Sequence, residues 1–245
     1  MSDAPFTLAQ YAAYLRLARA HGYRFAGFQE LVGDAGSRAE RVVHVRHDID
    51  YALRWVLPMA EIEHEHGVRS TYCFLVDSPY YSSSTPEFEA AVRGVLGLGH
   101  WLGLHFDATE ITDDDEVVRR VVDAAAGLER RFGADVVAVS FHMPGRRAVS
   151  HIVLPGRLVN TYGPRFFEEI GYASDSNMNW RGVDLAELLR SPETQRLQLL
   201  IHPIWWRSAH EPMLAKLQAL ADDLGIPLDE LMTDEQRALI DAPTS

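Results

Sequence analysis

The sequence predicts an α/β fold in which a parallel sheet is wrapped, barrel fashion, by crossover helices. Three observations carry this. Apolar runs of strand length alternate with helical segments from residue 42 to residue 224, and such alternation builds βαβ units. The stretch 113–132 bears an apolar stripe, Val117, Val118, Val121, Val122, Ala125, Leu128 and Phe132, of the kind that packs against a sheet. The length, 245 residues, suits one α/β barrel.

In chain order, Leu8, Tyr11, Tyr14, Leu15 and Ala18 recur at helical spacing behind the N-cap residue Thr7, with Gly22 as a stop. Residues 42–50 are β-branched and end in acids, as a strand running into a rim does. A helix over 52–65 leads to a strand over 71–76, where Cys73 reads as a small buried thiol. The run Ser82-Ser83-Ser84-Thr85-Pro86 is a loop and helix start. Beyond it come a helix over 86–96, a strand over 101–106, the striped helix, and a strand over 136–141. A weaker strand over 170–174, a helix over 183–190, a strand over 197–201 and a helix over 212–224 complete the series. No repeat or flexible linker interrupts it, so one domain is expected over 1–245. Residues 1–40 form its helical lead-in and 41–203 its motif-bearing core.

Composition narrows the function classes. Lys plus Arg number 23 against 35 for Asp plus Glu, a net charge of -12, which repels nucleic acid and anionic membrane surfaces. A single cysteine forms no internal disulfide and fits a reducing compartment. Met1 to Phe6 lacks a basic, apolar leader, and no run approaches the ~18 apolar residues of a membrane span. A cytoplasmic protein with neither nucleic acid nor membrane as partner is expected.

The placement of the eleven histidines is informative. His105, His142 and His202 stand at or just beyond the ends of three strands, and Asp48 and Asp50 end the first. In a parallel barrel all these ends share one rim, where acids and imidazoles make a metal-site inventory. Alternation puts Arg46, Asp48 and Asp50 on one strand face, so one carboxylate can bind an ion while the other acts as a base. Arg46 on that face is a substrate-binding candidate. Helix capping by the aspartates is the competing reading, but it leaves three strand-end histidines unexplained. His64 and His66 read as solvated, His21 as a helix end, His151 and His210 as surface residues, His44 as core and His47 as outward-packed.

Five segments together resemble the polysaccharide deacetylase group, the NodB-homology or carbohydrate esterase family four enzymes, in a divergent branch. They are Arg46-His47-Asp48-Ile49-Asp50, Gly99-His100-Trp101-Leu102-Gly103-Leu104-His105, Ser140-Phe141-His142-Met143-Pro144, Tyr172-Ala173-Ser174-Asp175-Ser176 and Leu200-Ile201-His202-Pro203. The resemblance implies a distorted (β/α) barrel of about seven parallel strands and metal-dependent removal of an acyl group, usually acetyl, from an amino sugar. It further implies Asp48 as catalytic base, Asp50 and His105 as metal ligands, His202 as general acid and Asp175 as the acid that orients it.

One departure stands out: Thr109 occupies the place of the family's second metal histidine. His142 is the expected replacement, with Asp107 and His100 as lesser candidates, because three protein ligands plus water suit a hydrolytic zinc site. Cobalt, nickel or ferrous iron are alternative ions. Arg146, with Arg147 beside it, stands in for the arginine of the family motif. Trp180 and Trp205 are expected to offer a sugar-stacking surface, ahead of Trp101 and Trp206. The rival readings are a metal-dependent hydrolase of another amide or ester bond and a metal-free sugar-binding descendant.

Overall fold

The computed structural model describes residues 6–33 and 40–241; residues 1–5, in the segment read above for an export signal, lie outside them. The described chain runs α1 (Leu8–Ala20), β1 (Arg24–Phe25), α2 (Phe28–Gly33), β2 (Val42–Ile49), α3 (Val56–Glu65), β3 (Thr71–Leu75) and α4 (Pro86–Gly97). It continues through β4 (Trp101–Asp107), α5 (Asp114–Phe132), β5 (Val136–His142), β6 (Val159–Asn160), α6 (Pro164–Phe167), β7 (Gly171–Ser174) and α7 (Leu185–Arg190). β8 (Arg196–Ile201), α8 (Met213–Leu224), α9 (Leu228–Leu231) and α10 (Asp234–Asp241) close it. The strands pair in parallel in the order β6-β5-β4-β3-β2-β8-β7, with β1 beside the start of β2.

This is the expected distorted α/β barrel. It is curled and incompletely closed: β6 and β7 end the pairing order, and side chains span the interior instead. Arg46 on β2 reaches the hydroxyls of Thr161 and Tyr162, just past β6, across three intervening strands. Gln198 on β8 donates to the carbonyls of Thr161 at 3.1 Å and Phe166 at 3.0 Å.

Helix signals in the sequence act as capping theory requires. Thr7, Thr85, Asp113 and Asp184 each cap a helix by accepting a backbone N–H. Gly133, at φ 66°, ends α5 in the left-handed conformation that glycine adopts without strain. The α5 stripe buries Val117, Val121, Ala125, Leu128 and Phe132, each large apolar side chain contributing about 1.5–3 kcal/mol of transfer free energy. Among the described residues, no helix is long and apolar enough to cross a membrane.

Strand alternation then positions the site. On β2 the residues Val43, Val45 and Ile49 pack outward against the helical layer, as do Leu102, Leu104 and Phe106 on β4 and Leu197, Leu199 and Ile201 on β8. The alternate residues, Arg46 and Asp48, Gly103 and His105, Ser140 and His142, and Gln198, therefore face the interior. Interior packing is tight at Gly103, where an added Cβ would stand 2.5 Å from the buried Cys73 sulfur. Every pair of bonded strands is parallel, so these inward rows end at one rim.

Candidate metal centre

Three donor atoms converge at that rim. Asp50 Oδ1 lies 2.9 Å from His105 Nε2 and 3.3 Å from His142 Nδ1, and the two imidazole nitrogens are 3.1 Å apart. Donors placed about 2.0–2.1 Å from a common ion at tetrahedral to octahedral angles stand roughly 2.9–3.4 Å from one another. The triangle therefore has the dimensions of one face of a coordination shell.

Its protonation supports the same fit. His105 Nδ1 donates to the Ser140 carbonyl at 3.1 Å, so in the neutral ring Nε2 is the nitrogen left to bind an ion. Asp50 Oδ1 is buried and lies within reach of that nitrogen without forming a hydrogen bond. Burial by itself would raise the Asp50 carboxyl; the flanking imidazoles overcome it and hold the group well below the usual carboxylate range.

On one side of the triangle stands Asp48, 3% exposed. Its Oδ2 accepts from Ser140 Oγ at 2.7 Å and lies 3.8 Å from His105 Nδ1, and its Oδ1 is 3.6 Å from Arg46 Nε without a hydrogen bond. On the other side His202 Nε2 lies 3.6 Å from Asp50 Oδ2. His202 Nδ1 is 2.6 Å from Asp175 Oδ1, and Trp206 Nε1 donates to Asp175 Oδ2 at 2.7 Å. Burial pushes the His202 imidazole down, but the hydrogen bond and charge of Asp175, then the charges of Asp50 and Asp48, raise it to about 9.

These groups open into a cavity of about 560 Å³ lined by Asp48, Asp50, His105, His142, His202 and residues from the loops after β5 and β7. The structure thus brings Asp48, Asp50, His105, His142, Asp175 and His202 together. Asp107, the lesser ligand candidate, turns away and binds Thr109 through Oδ1. His100 lies elsewhere, bonded to Ser70 and the Ala60 carbonyl.

Three of the expected substrate-binding side chains, Arg46, Trp180 and Trp205, lie buried. Arg46 is fully buried beneath Asp48, bonded to Thr161 and Tyr162 and absent from the cavity wall, so it does not reach a substrate. Trp180 and Trp205 touch the cavity but are only 7% and 1% exposed, which leaves no open ring face for a sugar. The exposed aromatic on the wall is Phe167, 44% exposed and 4.8 Å from the Tyr172 ring. Arg146 lies on the cavity wall, exposed. Ser140 went unassigned in the sequence, although it shares its strand face with His142.

No family model and no curated protein matches the chain. Among solved structures it is similar to the deacetylase PplD of Streptococcus pyogenes in complex with acetate, at 13% identity and TM-score 0.47, over 82% of this chain and 86% of that one. It is similar to the peptidoglycan deacetylase PdaC of Bacillus subtilis at 14% identity and TM-score 0.47, over 84% and 96%. It is also similar to BA3943, a CE4 family pseudoenzyme of Bacillus anthracis, at 13% identity and TM-score 0.45, over 78% and 62%. Likeness at this level carries no residue-by-residue correspondence, and the chemistry of the site rests on its own geometry.

Proposed function

We propose that the protein is a divalent-metal-dependent hydrolase that removes an acyl group, with acetyl as the first candidate, from an amino sugar or sugar conjugate. The observation that carries this is the Asp50, His105 and His142 triangle flanked by the Asp48 carboxylate on one side and the His202 imidazole on the other. Two nitrogens and one oxygen suit zinc first. A divalent ion in this triangle would supply Lewis acidity at an amide carbonyl and acidify water.

The chain's own groups divide the remaining work. Asp48 is the base: Ser140 Oγ holds Oδ2 and Arg46 lies 3.6 Å from Oδ1, which together fix the carboxylate at the edge of the cavity beside the triangle. His202 is the acid. Asp175 holds Nδ1, directs Nε2 toward the cavity and favours the doubly protonated ring, ready to protonate a leaving amine. Asp175 is itself held by Trp206 and the His202 backbone N–H, so it acts by positioning.

The test is a screen of acylated amino sugars and their nucleotide conjugates for released carboxylic acid, run with zinc, with cobalt and with chelator. Metal-dependent release supports the reading. No release from any substrate by the zinc-loaded protein would overturn it, and release undiminished by chelator would remove the ion from the mechanism.

A further inference from the structure

The C-terminal segment, which the sequence motifs do not reach, forms part of the cavity wall through Thr233, Asp234, Glu235 and Gln236. We infer that α10 closes one end of the cavity, so that it admits a free or chain-terminal acylated amino-sugar unit and excludes the interior units of a polysaccharide. This rests on the reading of the site as a sugar-amide hydrolase.

The helix is fastened in place. Leu231, just before it, is 1% exposed in the core. Thr233 and Gln236 form a reciprocal capping box, Thr233 N donating to Gln236 Oε1 at 3.0 Å and Gln236 N to Thr233 Oγ1 at 3.2 Å. Gln236, 1% exposed, then bridges two rim loops: its Nε2 donates to Asn177 Oδ1 at 3.1 Å, after β7, and to Tyr51 Oη at 3.4 Å, after β2. Tyr51 adjoins the metal ligand Asp50.

The loop that α10 grips is strained where it is gripped. Asn177, Met178 and Arg181 hold φ of 56°, 52° and 53°, a left-handed conformation that crowds the Cβ of non-glycine residues. Such conformers persist where the surroundings impose them. Gln236 holds Asn177, and Glu235 holds Arg181 at 2.8 Å.

An interior polysaccharide unit needs a groove open on both sides of the reacting residue. Here Gln236 ties the loops after β2 and β7 together on one part of the cavity wall, while Arg146 and the exposed ring of Phe167 line another part. The volume, about 560 Å³, is that of a small-molecule site.

The test is calorimetric binding of N-acetylglucosamine and its linear pentamer to the zinc-loaded protein, to a chain ending at Met232, and to Gln236→Ala, a milder variant that keeps the fold if the truncation does not. In the intact protein the pentamer should bind within about twofold of the monomer; loss of the bridge should tighten the pentamer alone by about tenfold. A pentamer bound about tenfold tighter than the monomer by the intact protein overturns the inference. So does an unchanged ratio in both variants, or no binding of either sugar. Because binding needs no turnover, sugar binding without acid release would sink the hydrolase reading separately.

Discussion

Asp48 and Asp50 sit two residues apart on the same side of one chain segment, and their neighbours give them different work. Asp50 Oδ1 faces two imidazole nitrogens at 2.9 and 3.3 Å, whereas Asp48 Oδ2 is bound by a hydroxyl and its Oδ1 looks toward a guanidinium. Asp48→Asn is therefore expected to keep its zinc and to lose at least about 10²–10⁴ in kcat/KM, the usual range for a general base. Asp50→Asn is expected to lose the zinc itself. Metal analysis beside rate measurement on the two variants decides, and the opposite pattern would exchange the roles. The convergence of Asp48, Asp50, His105, His142 and His202 was legible because period-two alternation and a shared rim fix it without side-chain detail. The depth of Arg46 was not. Parity gives the face of a strand, but whether an inward residue meets solvent or lies one layer below depends on strands distant in sequence, here on Thr161 and Tyr162.

At the scale of elements, α3 is joined to its neighbours through a buried acid. Glu63 accepts from Tyr11 of α1 at 2.5 Å, Ser70 at 2.6 Å and Tyr72 of β3 at 2.7 Å, and stands 2.8 Å from His47 Nε2 on β2. Burial works against its charge, yet His47, then His100 and Ser70, bring the carboxyl down from 4.5 to about 2. A group whose pKa is lowered by folding contributes its stability fully above the unfolded value, near 4.5, and loses it as the pH falls toward 2. His100, pushed down by burial against the opposing charge of Glu63, adds acid sensitivity of the same sign, its contribution fading as the pH falls below the unfolded value near 6.5. Glu63→Gln is expected to cost about 3 kcal/mol or more at neutral pH by leaving buried partners incompletely satisfied. It should also flatten the fall in stability between pH 4.5 and 2. Urea denaturation across that range measures both, and parallel curves for the two proteins would refute the role. The sequence held a signal for Glu63, which continues the buried helical stripe Val56, Met59 and Ala60 at the spacing of an apolar residue. The two-residue strands β1 and β6 and the four-residue helices α6 and α9 gave none, since a period cannot be read from so few positions.

For the molecule as a whole, the ion site acts across the sheet and not within one element. Its ligands come from the ends of β2, β4 and β5, so one ion would tie together a span of four neighbouring strands, while β6 and β7 stand at the two ends of the pairing order among the described residues. Rigid spacing of the three donors in the fold, and its absence in an unfolded chain, means that binding adds to folding stability by mass action. At a free zinc concentration a hundredfold above the dissociation constant that contribution is about 2.7 kcal/mol. In a domain of this size each kcal/mol moves the midpoint by about 2–4 °C, so zinc should raise Tm by roughly 5–10 °C and chelator should reverse it. His142→Ala and Asp50→Asn should each abolish most of the rise, because two remaining donors no longer form a face of the shell. Thr109→Ala, which changes a residue that hydrogen-bonds Asp107 and not the three ligands among the described residues, should leave it intact. A zinc-dependent rise that survives both ligand substitutions would place the ion elsewhere in the barrel, and a rise lost in Thr109→Ala would bring the loop after β4 back into the coordination shell.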